Sequence, residues 1–284
     1  MDPREPRMNV LDASEVLAHR DTVIWRYMNL PKFISMLDTQ ALYFSNLGKF
    51  IDHHEGALSK PALERIIQER LESARARKGR PLSEQEIEWV RERAMLAEAA
   101  VTKMKREHVL ANCWYRSPVE SGALGTIYGK DSVAIRSTIG KLYDCTRYHS
   151  PNIMIQFVHY VDHAVQDFDA EESFLFKHPL FAHEQEVRAL MLIGPKLAAP
   201  PSLSVRVELP ALIEAVHLAP GAAQLHSGVI ESLLLRYDLP SVPVVRSEAD
   251  TSPEYRQKLD EFVKRLNGDS LETVISELNA RDRK

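Results

Sequence analysis

Residues Ile153–Tyr160, IMIQFVHY, form the clearest strand-like stretch of the sequence, and the fold class follows from it and its neighbours. The stretch is rich in β-branched and aromatic side chains, as β-strands are. Similar runs predict further strands on both sides of it. They lie at Thr22–Met28, Ala41–Ser45, Val109–Tyr115, Ser132–Arg136, Glu186–Ile193, Ser204–Leu209, Val216–Leu218 and Pro243–Arg246.

Helical patterns separate these runs. Apolar residues recur at helical spacing in Leu30–Asp38. Residues 58–108 are rich in Glu, Arg, Lys, Ala and Leu, with one break at Lys78–Ser83, and Ser83 followed by Glu86 is a capping box. The pattern predicts a helical hairpin of Pro61–Arg77 and Glu84–His108.

Strands and helices are mixed along the chain without a regular βαβ repeat, which favours an α+β fold over a doubly wound sheet. We therefore predict an α+β fold with a mixed or antiparallel central sheet, flanked by helices and carrying the hairpin as an insertion. The predicted organisation is a single domain over 22–250, with the hairpin at about 58–108, and a helical C-terminal tail over 251–284.

Composition excludes several classes of protein. The chain has 284 residues, 44% hydrophobic and 27% charged, as a globular protein does. Its net charge of −4 argues against a protein that wraps nucleic acid. Two cysteines, Cys113 and Cys145, are too few for a disulfide framework, so a cytoplasmic setting is expected. No run is long enough for a membrane helix, and there is no P-loop, GxGxxG, GxSxG or HExxH motif.

Two polar clusters and one isolated cation are candidates for a functional site. The first cluster is the loop Asp52-His53-His54-Glu55. Carboxylates and imidazoles can bind a divalent metal, although consecutive side chains diverge. The alternative is that Asp52 and Glu55 hold the loop and cap the next helix.

The second cluster lies in Lys177–Arg188, KHPLFAHEQEVR, and contains His178, His183, Glu184 and Glu186. Because side chains alternate along a strand, Glu184 and Glu186 are expected on one face. Two such carboxylates repel each other, which raises the pKa of at least one of them when they are desolvated. The alternative is an exposed edge strand with two solvated acids.

Arg26 lies in the middle of an apolar strand, between Trp25 and Tyr27. A charge there is unfavourable unless it is paired. Its structural partner would be a carboxylate such as Glu55 or Glu186, and its functional partner would be a ligand phosphate.

The chain resembles a bacterial family known as domain of unknown function twenty-nine seventy-one. The resemblance rests on WRYMNLPKFISML, LYFSNLGKFIDHHEG, ANCWY, ESGALGTIYGKDSVAIRST, KHPLFAHEQEVRAL and the turn APGA at Ala219–Ala222. It spans roughly residues 22–250. One departure is Gly125, which stands where members of that family usually carry tryptophan.

A second resemblance is to ADP-ribosyltransferases of the arginine–serine–glutamate type. Those enzymes carry an Arg on the first core strand, a Ser-Thr pair at the end of a later strand, and a Glu entering another strand, often as ExE. This chain presents Arg26, Ser137-Thr138 and Glu184-Gln185-Glu186 in that order.

This second resemblance implies a use of NAD and a role for each matching residue. Cleaving the nicotinamide–ribose bond builds up positive charge on the sugar, which a carboxylate can stabilise. Glu186 would be that catalytic carboxylate, Glu184 would help to present the acceptor, and Ser137 would orient Glu186. Arg26 and Thr138 would help to bind NAD, and Tyr128 would stack on the nicotinamide. The supporting residues would be Tyr27, Asp52, Glu55, His178, His183 and Arg188.

The acceptor could be a protein or a nucleic acid, and the setting a toxin or phage-defence system. One alternative is a metal-dependent hydrolase or nuclease that uses Asp52, His54, His178, His183 and Glu186. Another is a non-catalytic sensor or binding module whose partner surface is the charged hairpin, which could also pair two copies of the chain. No membrane partner is expected.

Overall fold

The computed structural model describes Val16, residues 18–50, Asp52, and residues 55–149, 153–168, 172–194 and 197–250. The predicted C-terminal tail, 251–284, and the loop histidines His53 and His54 lie outside these residues. Within them, no helix is long and apolar enough to cross a membrane. The division of the chain into a domain over 22–250 and a C-terminal tail stays a prediction.

The fold is α+β, as predicted, and its sheet is mostly antiparallel. The strands are β1 (Val23–Asn29), β2 (Ala41–Asn46), β3 (Val109–Arg116), β4 (Ser132–Thr138), β5 (Ile153–Phe157), β6 (His159–Tyr160), β7 (Phe176–Lys177), β8 (Glu186–Leu192), β9 (Ser202–Arg206), β10 (Ala215–Leu218) and β11 (Val244–Val245). The α-helices of the described residues are α1 (Leu30–Thr39), α2 (Lys60–Lys78), α3 (Glu84–His108), α4 (Gly122–Tyr128), α5 (Ile139–His149), α6 (Leu209–Leu212) and α7 (Gln224–Arg236).

The hairpin of α2 and α3 connects β2 to β3, where the sequence predicts it. Both bonds of the capping box are present, because Ser83 accepts from the Glu86 amide and Glu86 accepts from the Ser83 amide. The two helices share a small apolar core of Ile67, Leu71, Ala74, Val90 and Ala94. A local signal and an amphipathic pattern are therefore sufficient to define this element.

The prediction of one strand over Ile153–Tyr160 is wrong in one respect. β5 ends at Phe157, and after Val158 the residues His159–Tyr160 form a separate strand, β6, that pairs in parallel with β7. β5 itself pairs with β8 in the main sheet. The change of partner at Val158 depends on β7, a distant segment, so local sequence does not reveal it.

The main sheet forks at β3. β8 pairs with β3 over the whole of Val109–Tyr115 and so occupies one edge of that strand. The other edge is shared: β2 pairs with its start, through Leu110 and Ala111, and β1 pairs with its end, through Tyr115 and Arg116. β1 continues away to pair with β4, while β2 pairs with β9.

The two faces of the sheet carry different cores. Ile24, Met28, Trp114 and Val187 belong to the larger core, with α1 and parts of α5 to α7 packed over it. A smaller cluster includes Leu47, Ala111, Phe174, Phe176 and Leu190. Because neighbouring residues on a strand point to opposite faces, Trp25, Tyr115 and Glu186, which are paired across the sheet, lie opposite the larger core.

Candidate functional site at the fork of the sheet

Arg26 occupies the fork between β1 and β2. It is the residue after Trp25, where the pairing of β1 with β3 ends. Its guanidinium donates to the Cys113 carbonyl of β3 at 3.1 Å and to the Tyr43 carbonyl of β2 at 3.5 Å. The guanidinium thus supplies hydrogen bonds to two backbone carbonyls that would otherwise be paired by the amides of a neighbouring strand.

The predicted carboxylate partners of Arg26 are engaged elsewhere. Glu55 and Glu186 both pair with Lys177 and Arg188. Burial lowers the pKa of the Arg26 guanidinium, but an arginine stays protonated in proteins. Arg26 therefore holds its positive charge at the fork through two neutral carbonyls.

Three tyrosines form a cluster around Tyr27, and one of them, Tyr128, lies near Arg26. The ring of Tyr128, at the end of α4, stacks on Tyr27 at 6.2 Å between centroids, and Tyr115 approaches Tyr27 edge-on at 6.4 Å. Burial raises the pKa of Tyr27 to about 12, so its hydroxyl stays protonated, and its oxygen accepts from the Ser121 amide at 2.6 Å. Tyr128 is 44% exposed, which leaves ring surface open to a ligand.

Tyr128 also connects the arginine to the acidic segment. Burial raises the pKa of its phenol, the charge of Arg26 opposes that rise, and the charges of Glu184 and Glu186 add to it. Such charge effects require the groups to be close. Tyr128 therefore lies close enough to Arg26 on one side, and to Glu184 and Glu186 on the other, to be affected by the charges of all three.

Arg188 and Glu186 form the buried centre of the acidic segment. Arg188 has no exposed surface, and its Nε and Nη2 atoms donate to the two oxygens of Glu186 at 3.0 and 2.8 Å. The same cation contacts Glu55 at 2.9 Å and the Phe174 carbonyl at 2.7 Å. Burial alone would raise the pKa of Glu186, but the cations Arg188 and Lys177 outweigh it and hold that pKa at about 2.

Lys177 joins three carboxylates at once. Its Nζ donates to Glu184 at 2.5 Å and lies 3.1 Å from Glu55 and 3.4 Å from Glu186. Burial works to lower the pKa of this ammonium, and the charges of Glu186 and Glu55 raise it above its ordinary value. With Arg188, two cations face three carboxylates, so the cluster of these five residues is one negative charge in excess.

The two acids of the ExE pattern reach this cluster by different routes. Glu184 ends a 3-10 helix, Pro179–Glu184, whereas Glu186 begins β8. Gln185 between them adopts a left-handed backbone, with φ of 40°. Alternation along one strand is therefore the wrong reason for their convergence. They also differ in access, because the Glu184 side chain is 32% exposed and that of Glu186 is 8% exposed.

Ser137 and Thr138 lie away from this cluster. Ser137 pairs with Ile24 on β1, whereas Glu186 pairs with Tyr115, which pairs with Trp25, so the two side chains are on opposite faces of the sheet. The Ser137 hydroxyl is buried and donates to the Leu212 carbonyl at 2.6 Å. Thr138 accepts from the Lys141 amide at the start of α5. The structure does not bring Ser137 to Glu186, as the resemblance implied.

The two histidines of the acidic segment bond to its own backbone. Nδ1 of His178 accepts from the Leu180 amide at 3.3 Å and caps the 3-10 helix, and Nδ1 of His183 lies 3.1 Å from the Leu180 carbonyl. Asp52 is half-buried in its loop. Within the described ranges, no group of three or more His, Cys, Asp or Glu side chains could hold a metal ion. His54, part of the metal hypothesis, lies outside those ranges.

Sequence reasoning missed Lys177 and Tyr160. The hydroxyl of Tyr160 accepts from the Glu186 amide at 2.8 Å, and burial raises the pKa of that phenol to about 12. Both residues lie in or beside segments that the sequence singled out. The available signal for Lys177 was its place directly after the apolar run Phe174–Phe176, where a lysine needs a buried partner.

The packing around Gly125 leaves no room for a side chain. A Cβ atom on Gly125 would lie 2.6 Å from Cδ of Pro220, in the turn that follows β10. α4, which ends with Tyr128, is therefore packed against that turn at a distance that only glycine allows.

We expect Gly125→Ala to lower the free energy of unfolding by about 1–3 kcal/mol, as overpacking does. Gly122→Ala, in the same helix, is the control because nothing lies within 4 Å of its added Cβ. Urea unfolding of both variants measures the difference. Equal stability of the two variants would contradict this account of the contact.

Comparison with known proteins gives one distant likeness. No protein-family model matches the chain, and no curated protein matches it either. Among solved structures, the chain is similar to Thermus sp. 2.9 DarT in complex with ADP-ribosylated single-stranded DNA. The match has 12% identity and a TM-score of 0.35, and it covers 81% of this chain and 95% of that one. A TM-score this low establishes neither a shared fold nor a shared activity, and membership of family twenty-nine seventy-one stays a prediction.

Proposed function

We propose that this protein is an NAD-dependent, ADP-ribosyltransferase-like enzyme whose site lies at the fork of the sheet. The observation that carries the proposal is the position of the exposed ring of Tyr128, which lies near Arg26 and also near Glu184 and Glu186. A cation, an exposed aromatic ring and two carboxylates are the groups that an enzyme needs to bind NAD and cleave it at the ribose.

The donor set of the site suits NAD. Among the described residues, Arg26 donates to two carbonyls, and a guanidinium has five N–H groups, so donors are left for a phosphate or a ribose hydroxyl. The exposed ring of Tyr128 can stack on a nicotinamide or adenine ring. NAD supplies an activated glycosidic bond, and the residues of this chain bind it and stabilise the charge that develops at the ribose.

We assign the ligand-facing carboxylate to Glu184 and the positioning role to Glu186. Both oxygens of Glu186 already accept hydrogen bonds from Arg188, and breaking a buried ion pair is strongly unfavourable. Glu184 is the more exposed acid, and its contact with Lys177 can be exchanged for a ribose hydroxyl. This order reverses the one that the resemblance implies. Glu186 then acts through Lys177, which it contacts and which holds Glu184 in place.

The molecule that accepts the ADP-ribose is not assigned to a single class. A protein or a nucleic acid would receive the ADP-ribose, and an effector role in a toxin or phage-defence system would follow from such an activity. The competing functions are a metal-dependent hydrolase and a non-catalytic binding module. Ligand binding separates all three, because each predicts a different response to NAD and to divalent metals.

We expect NAD to bind the purified protein in isothermal titration calorimetry, and to raise its melting temperature by stabilising the native state. Arg26→Lys should weaken NAD binding by roughly 10–100-fold, because lysine lacks the planar fork of donors. Arg80→Lys, on the exposed turn of the hairpin, is the matched control and should bind NAD like the wild type. Calorimetry well below the melting temperature keeps binding separate from any loss of stability.

Three results would contradict the proposal. Absence of NAD binding to the wild type would exclude an NAD-dependent enzyme. Equal affinity of Arg26→Lys and wild type would remove Arg26 from the site. Stabilisation by Mn²⁺ or Zn²⁺ without any response to NAD would favour the hydrolase.

A further inference from the structure

The short helix α4 carries Tyr128 into the candidate site but has little buried surface of its own. Gly125 is its one buried residue, and Leu124 is half-buried. Ile127 is 74% exposed and Tyr128 is 44% exposed. A helix of this length is not stable by itself, because helices in proteins are held mainly by the packing of an apolar face. The position of the Tyr128 ring therefore depends on how the start of α4 is attached to the rest of the fold.

Glu120 lies two residues before the first residue of α4, and three groups bind its carboxylate. One oxygen accepts from the Ser247 hydroxyl and, at 2.7 Å, from the Glu248 amide. The other oxygen lies 3.2 Å from Nδ1 of His217 on β10. The side chains of Glu120 and His217 are 10% and 11% exposed, and Ser247 has no exposed surface. A carboxylate buried to this extent is fixed in place by its hydrogen bonds.

The partners of Glu120 are themselves held by the sheet. β10 pairs with β4, and the ring of His217 packs edge-on against Trp25 of β1, with 4.8 Å between the ring centroids. The segment after β11 is tied to the turn after β10, because the two oxygens of Asp250 accept from the Gly221 amide at 2.8 and 3.0 Å. Pro220, against which α4 packs, belongs to the same turn. The start of α4 is thus attached to β10 and to the segments around it.

Ser121 connects Glu120 to the tyrosines of the site. The hydroxyl of Ser121 caps α4 by accepting from the Leu124 amide at 3.2 Å. Its own amide donates to the Tyr27 hydroxyl at 2.6 Å, and Tyr27 is the ring on which Tyr128 stacks. A displacement of Glu120 would therefore move both the start of α4 and the ring that supports Tyr128.

From these contacts we propose that Glu120 is a positioning residue, which holds α4 so that the ring of Tyr128 is presented to NAD and thereby sets the affinity for NAD. This role rests on the proposed function. Glu120 does not touch the ligand and acts through Ser121 and Tyr27. It contributes hydrogen bonds rather than charge to the site, so a side chain of the same shape that keeps those bonds can replace it.

The first test is NAD binding by isothermal titration calorimetry, well below the melting temperature of each variant. Glu120→Ala should weaken binding by roughly 10-fold, because the start of α4 loses its attachment. Glu120→Gln should restore most of the affinity. Burial lowers the pKa of His217, so its ring is neutral at neutral pH and Nδ1 can accept from the new amide. Glu214→Ala is the matched control, since Glu214 is also a largely buried carboxylate, paired with Arg136 and Lys141, and should bind NAD like the wild type.

Ser247→Ala keeps the role testable if Glu120→Ala folds poorly. It removes a single hydrogen bond to Glu120 and should weaken NAD binding in the same direction, by roughly 3-fold.

The second test asks whether Glu120 acts through Tyr128. Tyr128→Ala alone should weaken NAD binding, and adding Glu120→Ala should weaken it no further, because the ring that Glu120 positions is already gone. Hydrogen exchange measured by mass spectrometry gives a readout without NAD. The amides of α4 should exchange faster in Glu120→Ala than in the wild type, and Glu214→Ala should leave them unchanged.

The outcomes separate this role from the proposed function. If the wild type binds NAD and Glu120→Ala binds it equally well, or if the losses from Glu120→Ala and Tyr128→Ala add, Glu120 has no positioning role and the proposed function stands. Unchanged exchange of the α4 amides in Glu120→Ala would also overturn the role, as would a Glu120→Gln variant as weak as Glu120→Ala. Absence of NAD binding to the wild type would instead overturn the proposed function, and with it any effect of Glu120 on NAD affinity.

Discussion

Arg188→Met should lower the free energy of unfolding by about 3–5 kcal/mol, the largest loss of stability that we expect from a single change in this protein. Methionine nearly fills the volume but removes the cation that both oxygens of Glu186 and one oxygen of Glu55 contact. Arg188 and Glu55 are almost wholly buried, so water cannot replace the lost interactions. Urea or guanidinium unfolding at neutral pH measures the effect.

Two further variants identify the cause of this loss. Adding Glu186→Gln to Arg188→Met should recover part of the stability, because one of the stranded carboxylates is then neutral. Arg80→Met removes an arginine that pairs with Glu86 in solvent, and it should change stability far less. If Arg188→Met is no more destabilising than Arg80→Met, the buried cluster does not hold the fold in the way described.

Glu184→Gln should lower the rate of NAD cleavage by roughly 100-fold or more, with little change in the free energy of unfolding. The loss of rate follows from removing a charge that stabilises the reacting ribose. The small change in stability follows from the partial exposure of the Glu184 side chain, since Glu55 and Glu186 still accompany Lys177. Release of nicotinamide from NAD, followed by chromatography, measures the rate without knowledge of the acceptor.

Glu186→Gln provides the contrast. It leaves Arg188 with a weaker partner inside the protein, so it should destabilise the fold more than Glu184→Gln does. At saturating NAD and a temperature where both variants are folded, Glu186→Gln should retain more activity. The assignment of roles is wrong if Glu184→Gln keeps the wild-type rate, or if folded Glu186→Gln is the less active of the two.

Much of the fold could be predicted because its signals are local. α1 has apolar residues at helical spacing and an Asn29 cap, and α3 has its capping box. The fork at β3 could not be predicted, since it depends on which strands meet which edge. The same limit explains the break at Val158, where the chain leaves one sheet for another.

The sequence was sufficient to identify most residues of the candidate site, but not to predict how these residues are placed relative to one another. Arg26 stood out because a charge in an apolar strand requires a partner, and Glu186 stood out because it and Glu184 were expected on one face of a strand. Ser137 was placed wrongly because the face it occupies depends on the register of β4 with β1, which a motif in sequence does not contain. Lys177 was missed because its role is to pair with three carboxylates, which come from two separate segments of the chain.

The position of the hairpin has a consequence for communication across the molecule. Asn46 and Leu110 are paired, so the chain leaves the sheet and returns to it at the same point. At that point Arg106 of α3 donates to the carbonyls of Leu47 and Phe50. The segment after Phe50 carries Glu55 into the charged cluster. Arg106 therefore fixes α3 to the start of the chain segment whose later residue Glu55 shares Lys177 with Glu184.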